Sequence, residues 1–150
     1  IKMSSNTSVT APKSPAVTKT GTLDLMQTFI THKLDINIRG AYQGTALMAA
    51  AYCDQLSCVQ LLLAHGADTD LRSGGLETAL MMAAINNYPD IIVELLIHGA
   101  DDQIQDIDGW NALTLAERRG NQDAVKVLNS RKEHPDKLNK RILRSHEGRL

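Results

Sequence analysis

The sequence predicts an all-α solenoid, in which helix-turn-helix units are stacked and hairpin turns project from one side. Three observations carry this prediction. The sequence around Thr45 returns around Thr78 and Asn111, in steps of 33 residues. A second motif, Leu62 to Asp68, recurs 33 residues later as Leu95 to Asp101. Finally, only 3% of the 150 residues are aromatic, and a core rich in Ala and Leu suits thin helices that pack closely.

The first helix of each unit is Ala-rich and is predicted at 46–53, 79–86 and 112–119. A residue with a side-chain oxygen precedes each helix, where it can accept the N–H groups that the first turn leaves unpaired. These predicted N-caps are Thr45, Thr78 and Asn111. The positions expected to face inward are Leu47, Leu80 and Leu113, and the small residues that let helices approach are Ala50, Ala83 and Ala116.

The second helices are predicted at about 57–65, 90–98 and 122–130. Pro89 suits the first turn of its helix, where a missing N–H costs nothing. Gly66 and Gly99 end their helices, because the chain reversal needs a left-handed residue. The residues expected to be buried are Val59, Leu62, Leu63, Ile92, Leu95, Leu96, Val125 and Leu128.

Both ends of the chain differ from the repeats. Residues 1–21 are rich in Ser, Thr, Pro and Lys and are predicted to be a flexible leader. A helix at 23–32, with Thr22 as its N-cap, belongs to a half repeat at 22–38, and repeats follow at about 39–71, 72–104 and 105–130. The polar pair Asn129 and Ser130 marks the third repeat as the end of the stack. Residues 131–150 are expected to form a basic tail with a short helix at about 136–145.

Residues 22–130 resemble the ankyrin repeat family. The resemblance rests on the 33-residue step, on the word Leu-Leu-x-His-Gly-Ala-Asp and on the turn Asp106-Ile107-Asp108-Gly109. The family word Thr-Pro-Leu-His has become Thr-Ala-Leu-Met twice and Asn-Ala-Leu-Thr once. The lost His implies the loss of hydrogen bonds that usually brace neighbouring turns. The Thr-Ala-Leu-Met variant is similar to that of many bacterial ankyrin proteins and suggests a bacterial source.

The resemblance implies that the chain binds a partner with its concave face, formed by the hairpin tips and the exposed edges of the first helices. The tips correspond to Ala41, Tyr42, Gly44, Gly74, Gly75, Glu77, Ile107, Asp108 and Trp110, and the edges to Tyr52, Cys53, Ile85, Asn86, Arg118 and Arg119. Tyr, Trp and Arg are enriched at interface hot spots. The alternative is that the aromatic residues pack along a neighbouring repeat. The predicted partner-binding residues are Tyr42, Tyr52, Glu77, Ile85, Asn86, Asp108, Trp110, Arg118 and Arg119.

The sequence contains no recognised catalytic motif, and the chain is not expected to be an enzyme or to hold a cofactor. Cys53 and Cys58 match neither a metal spacing nor a disulfide framework and are interpreted as two reduced thiols. His65 and His98 occupy equivalent positions before a glycine, which favours a role at the helix end over a metal site or a pH switch. The acidic run 101–108 fails the calcium-loop pattern and is interpreted as a solvated turn.

Charge is unevenly distributed, although the formal net charge is only −1. Residues 24–128 hold 14 acidic side chains against 6 Lys or Arg, whereas residues 129–150 hold 3 against 7. The resemblance implies a non-catalytic adaptor or regulator, expected to be monomeric and cytoplasmic, and the acidic body favours a partner protein with a basic patch. A second hypothesis is that the basic tail contacts nucleic acid or an anionic surface, although it lacks aromatic residues for base stacking. A third is a bacterial inhibitor or effector that blocks an enzyme or toxin. No signal peptide or membrane-spanning run is visible.

Overall fold

The computed structural model describes residues 35–133, which form three helix pairs. The first helices of the pairs are α1 (Ala46–Tyr52), α3 (Ala79–Ile85) and α5 (Ala112–Arg119), and the second helices are α2 (Leu56–Ala64), α4 (Pro89–Ile97) and α6 (Gln122–Glu133). First helices pack on first helices, second helices pack on second helices, and the two helices of each pair also pack together. No strand occurs within 35–133, so the predicted all-α solenoid is confirmed.

Each first helix begins at the residue that the sequence predicts. Thr45 Oγ1 accepts a hydrogen bond from the Met48 N–H at 3.3 Å, and Thr78 Oγ1 accepts one from the Met81 N–H at 3.3 Å. In the third pair, Asn111 Oδ1 takes the same role. Because the side-chain oxygen pairs an N–H group that the helix itself leaves free, each cap fixes where its helix starts.

The second helices follow the predicted pattern within one residue at their starts. α4 begins at Pro89, whose missing N–H falls in the unpaired first turn. The glycines after α2 and α4 have φ of +84° at Gly66 and +87° at Gly99. A residue with a Cβ would be strained there, so these two glycines end their helices as predicted.

The core lies between the helix layers, and the two kinds of helix fill it differently. The first helices contribute alanines that are completely buried, including Ala51, Ala83 and Ala116, at 0% exposure. Their small size lets neighbouring first helices approach closely. The second helices contribute larger side chains, such as Ile91 and Leu95, also at 0% exposure. Burying each such side chain contributes about 1.5–3 kcal/mol, so the packing between pairs dominates the stability.

The third pair is less buried than the second, and two predictions were wrong in degree. Leu113 and Val125 were expected to be inward-facing but are only half-buried. The same positions of the second pair, Leu80 and Ile92, are 1% and 0% exposed. The reason is that no described residue packs beyond the third pair. Glu117 is accordingly exposed at the position that corresponds to the buried Ala84.

The last helix continues past the predicted end of the repeats at 130. α6 extends to Glu133, so Arg131, assigned from the sequence to the basic tail, belongs to a helix. Its Nη1 donates a hydrogen bond to the Ala100 carbonyl oxygen at 2.8 Å and ties α6 to the preceding repeat. The predicted leader at 1–21, the helix at 23–32 and the short helix at 136–145 lie outside the described residues.

Two arginines connect successive turns. Arg39 Nη1 donates to the Gln43 carbonyl oxygen at 2.9 Å and also to the carbonyl oxygen of Arg72 in the next repeat. Arg72 repeats this arrangement, because its Nε donates to the Leu76 carbonyl oxygen at 3.3 Å and its Nη2 donates to the carbonyl oxygen of Gln105. Each guanidinium therefore closes its own hairpin and holds the following one.

Short acidic and amide side chains add a second set of links between repeats. Asn37 Oδ1 accepts a hydrogen bond from the Asp68 N–H at 2.9 Å, and Asp70 Oδ1 accepts one from the Asp101 N–H at 2.9 Å. These bonds, together with the two arginines, brace the turns in a chain whose first helices lack the family histidine. The braces were not expected from the sequence.

Three residues without the freedom of glycine occupy left-handed backbone at the hairpin tips. Tyr42 has φ +54°, Gln43 +60° and Leu76 +63°. The third repeat has Gly109 at the register of Gln43 and Leu76, with φ +85°. Because the left-handed conformation costs a residue with a Cβ roughly 1–2 kcal/mol, the first two tips are strained and the third is not.

The role of Arg72 in joining repeats can be tested by Arg72→Met. We expect the free energy of unfolding to fall by about 1 kcal/mol, the low end for hydrogen bonds to a charged group because Arg72 is exposed. Urea denaturation followed by circular dichroism measures the change. Lys126→Met, which removes an exposed charge from α6, is the control. Equal effects of the two substitutions would contradict the brace.

The strain at the second tip predicts that Leu76→Gly stabilises the fold. We expect a gain of up to about 0.5 kcal/mol, because relief of the left-handed penalty exceeds the added backbone entropy of glycine together with the partial burial that the 38%-exposed side chain loses. The reverse change, Gly109→Ala, should destabilise, since the added Cβ meets nothing within 4 Å and only the φ of +85° opposes it. Thermal unfolding of both variants tests this pair. A lower midpoint for Leu76→Gly would show that the tip is not strained.

Candidate functional site

The large apolar side chains that remain exposed within 35–133 lie in the turns or at the end of α1. These residues are Ile38 (56% exposed), Tyr42 (91%), Tyr52 (57%), Leu76 (38%) and Ile107 (69%). Four of them belong to the turns, and the fifth ends helix α1. None of them is on a second helix. Exposed apolar area is therefore concentrated where the turns and first helices meet solvent, and such concentration marks interaction surfaces.

One apolar residue is exposed at each hairpin tip, and we call Tyr42, Leu76 and Ile107 the tip strip. The tips are joined by backbone hydrogen bonds. The Gly74 N–H donates to the Tyr42 carbonyl oxygen at 2.7 Å, and the Ile107 N–H donates to the Gly75 carbonyl oxygen at 3.1 Å. These bonds join the backbones of the three tips, so the members of the tip strip follow one another from hairpin to hairpin.

A second set of predicted residues runs along the ends of the first helices. Tyr52, Ile85 and Arg118 are 33 residues apart and form what we call the helix-edge row. The first helices pack side by side, so these equivalent positions follow one another along the stack. Asn121 Nδ2 donates to the Ile85 carbonyl oxygen at 2.7 Å and to the Ala84 carbonyl oxygen at 2.8 Å, which fixes the end of α3 against the third repeat.

Trp110 and Arg118 are the two predicted site residues that the structure brings into direct contact. The Arg118 Cζ lies 4.5 Å from the centroid of the Trp110 ring. This cation–π contact contributes about 0.5–1 kcal/mol at an exposed site. It also holds the half-buried Trp110 against the end of α5, so the pair connects the third hairpin to the helix-edge row.

Two of the predicted site residues make hydrogen bonds inside the fold. The Ser73 Oγ donates to Glu77 Oε2 at 3.3 Å, so the half-buried Glu77 braces its own hairpin. Asn86 Nδ2 donates to the Met82 carbonyl oxygen at 3.0 Å, one turn earlier at the end of α3. By contrast, Asp108 and Arg119 have exposed side chains. The nine predicted residues thus divide into structural and exposed members.

The turns also carry a graded negative charge. The segment 35–45 holds Asp35 and Arg39, which balance, whereas 68–78 holds three carboxylates and one arginine. The segment 101–111 holds four carboxylates and neither Lys nor Arg. The formal charge of the turn segments therefore changes from 0 to −2 to −4, and Arg118, which lies over Trp110, offsets part of the charge at the third hairpin. A surface with net negative charge attracts positively charged partners and raises the rate at which they associate.

Two residues of this surface were missed in the sequence. Leu76 occupies the position that Gly109 occupies in the third repeat. An apolar residue in place of a turn glycine is the sequence feature that could have identified it. Tyr88 precedes α4. Burial raises the pKa of its phenol, and the nearby carboxylate of Asp54 raises it further. Tyr88 is half-buried in the turn that follows α3.

The histidines and cysteines show structural roles. His65 Nδ1 donates to the Leu61 carbonyl oxygen at 2.9 Å, and His98 Nδ1 makes the equivalent bond to Glu94, also at 2.9 Å. Burial raises the pKa of the Cys53 and Cys58 thiols, which lowers their thiolate fraction and reactivity. Within 35–133, no group of three or more His, Cys, Asp or Glu residues is arranged to hold a metal ion.

The acidic run of the third turn folds back on its own backbone. Asp101 Oδ1 accepts a hydrogen bond from the Gln103 N–H at 2.8 Å. Asp106 Oδ1 accepts two hydrogen bonds at 2.9 Å, from the Asp108 N–H and the Trp110 N–H. These carboxylates shape the hairpin, in agreement with a solvated turn, and leave Asp108 as the exposed carboxylate at the tip.

Comparison with known proteins agrees with the geometry. No helix in the described part of the chain combines the length and apolar character needed to cross a membrane. A search of curated proteins found no match. The family model for ankyrin repeats (3 copies) matches residues 15–73 and 71–140, which together make up most of the chain. The 33-residue register, the stacked helix pairs and this match lead to one conclusion: the chain belongs to the ankyrin repeat family.

Proposed function

We propose that this protein is a non-catalytic adaptor or regulator that binds a partner protein through its hairpin tips and first helices. One observation carries the proposal. The large apolar side chains left exposed within 35–133 lie on the turns or on α1, and none lies on a second helix. Since ankyrin repeats generally mediate protein–protein interaction, this is the surface that a partner would cover.

The rigidity of the face supports a binding role. Backbone bonds join the tips, and Arg39 and Arg72 connect each hairpin to the next. Trp110 is held by Arg118. A surface that is already ordered loses little conformational entropy on association, so more of its contact energy appears as affinity.

Electrostatics favour a basic partner. The three turn segments together hold eight carboxylates and two arginines. A partner with Lys or Arg opposite the turns would associate faster at low ionic strength, and salt would slow the association. If the partner is an enzyme or toxin that this protein blocks, it would bind the same surface. The inhibitor hypothesis therefore differs from the adaptor hypothesis in the partner and not in the binding site.

The nucleic-acid hypothesis gains no support from the described residues. Arg131, the first cation of the basic C-terminal region, donates to the Ala100 carbonyl oxygen. The neighbouring third turn holds four carboxylates without Lys or Arg and would repel a phosphate backbone. Lys132 follows Arg131 in α6, and the other five basic residues of the region lie in 134–150, outside the described residues.

The proposal is tested by affinity purification with mass spectrometry, followed by affinity measurement on the recovered partner. The double variant Tyr52→Ala/Trp110→Ala should weaken binding about tenfold or more, because truncating interface hot spots typically costs over 1 kcal/mol each. Helix content should be unchanged.

A matched control removes apolar side chains from the second helices. Leu61 and Val93 are both half-buried, on α2 and α4. The variant Leu61→Ala/Val93→Ala therefore truncates two apolar side chains outside the proposed surface and should retain full affinity. If the Tyr52/Trp110 variant binds as tightly as the unmodified chain, the proposed surface is wrong.

A further inference from the structure

We infer that the tip strip is the anchor of the binding face and that it takes an extended peptide segment of the partner. The segment would carry apolar side chains three residues apart and a Lys or Arg where it passes the third tip. This inference rests on the proposed function and specifies the partner at the same surface. Strain, spacing and charge each support it.

Strain indicates that two members of the tip strip are not required by the hairpin backbone, although Leu76, at 38% exposure, still buries part of its side chain. Tyr42 and Leu76 adopt φ of +54° and +63°, which glycine would adopt at less cost. Tyr42 is 91% exposed and gains almost no burial in return. The third tip has Gly109 at the register of Leu76, so the hairpin itself accepts glycine there. Strained residues that the fold does not require are candidates for function.

Spacing selects an extended peptide. The backbone bonds from Gly74 to Tyr42 and from Ile107 to Gly75 join neighbouring hairpins. Equivalent residues of successive tips are thus separated by two strand spacings, about 10 Å. A polyproline-II segment rises about 3.1 Å per residue and repeats every three residues, so its like-facing side chains are about 9 Å apart. Tyr42, Leu76 and Ile107 are not equivalent, but they stand within two positions of one another in the 33-residue register, so such a segment brings every third side chain to a successive tip.

Charge sets the position of the basic residue. The first turn segment is balanced, the second has two more carboxylates than arginines, and the third has four carboxylates without Lys or Arg. Arg39 and Arg72 belong to the first two turns, where their guanidinium groups bond to backbone carbonyl oxygens. The exposed carboxylate of Asp108 lies next to Ile107. A Lys or Arg of the partner would therefore be most favourable beside the third tip.

The first experiment selects ligands from a phage-displayed library of random peptides against the full chain. We expect enriched sequences with apolar residues at i, i+3 and i+6 and with Lys or Arg near one end. Enrichment of sequences that lack this spacing, or no enrichment at all, would overturn the inference.

The second experiment measures the affinity of a selected synthetic peptide for point variants of the full chain. Leu76→Gly should raise the midpoint of thermal unfolding and at the same time weaken peptide binding about fivefold or more. A side chain with a merely structural role would not produce opposite changes in stability and affinity. Asp108→Asn should weaken binding and reduce its dependence on salt. Unchanged affinity in Leu76→Gly would overturn the inference.

Two controls separate this inference from its alternatives. Gly109→Ala alters the stability of a tip without removing a side chain of the tip strip, so it should destabilise the fold and leave peptide affinity unchanged.

Sedimentation of the full chain tests whether a second copy of the chain occupies the tip strip. A dimer that dissociates in the Leu76→Gly variant would overturn the peptide assignment. If the peptide and the purified partner are insensitive to Leu76→Gly but are lost in Tyr52→Ala/Trp110→Ala, the inference fails while the proposed function stands. A partner insensitive to every variant of this face would remove the proposed function itself.

Discussion

The structure depends on the packing of each helix pair against its neighbours, because no pair can bury its apolar residues alone. Ile91, Ile92 and Leu95 of α4 are completely buried, with α2 on one side of the helix and α6 on the other. The third pair lacks a described neighbour on its outer side, and Leu113 and Val125 are half-exposed as a result. Burial at a given position is thus determined by the next repeat as much as by the residue.

Strict stacking has a functional consequence, because residues 33 apart are brought into rows. Positions outside the core are aligned along the stack in the same way. Tyr52, Ile85 and Arg118 therefore follow one another from repeat to repeat. The turns are held in the same register by Arg39 and Arg72, whose guanidinium groups each bridge two repeats. A repeat protein of this kind obtains an ordered surface from bonds that also stabilise its fold.

At the hairpin tips, the residues present suit neither the backbone conformation nor the exposure of their side chains to water. Tyr42 and Leu76 combine an unfavourable backbone conformation with exposed apolar side chains, while Gly109, at the register of Leu76, shows that the same turn forms without the backbone cost. Elsewhere the local signals agree with the global fold, as at the caps Thr45 and Thr78. A conflict confined to exposed turns is what a binding edge would produce, since a partner can recover energy that the isolated chain does not.

The class of fold, the helix starts and the end-glycines could be predicted from residue order, because capping, helix periodicity and left-handed backbone are local properties of a few residues. The same reasoning predicted that Tyr42, Tyr52 and Trp110 share one face of the repeats. The hydrogen bonds of Glu77 and Asn86 within the fold, the position of Arg118 over Trp110 and the exposure of Leu76 became visible with the packed repeats. These features arise from contacts between turns and helices whose distances are set by packing, and residue order alone does not specify such distances.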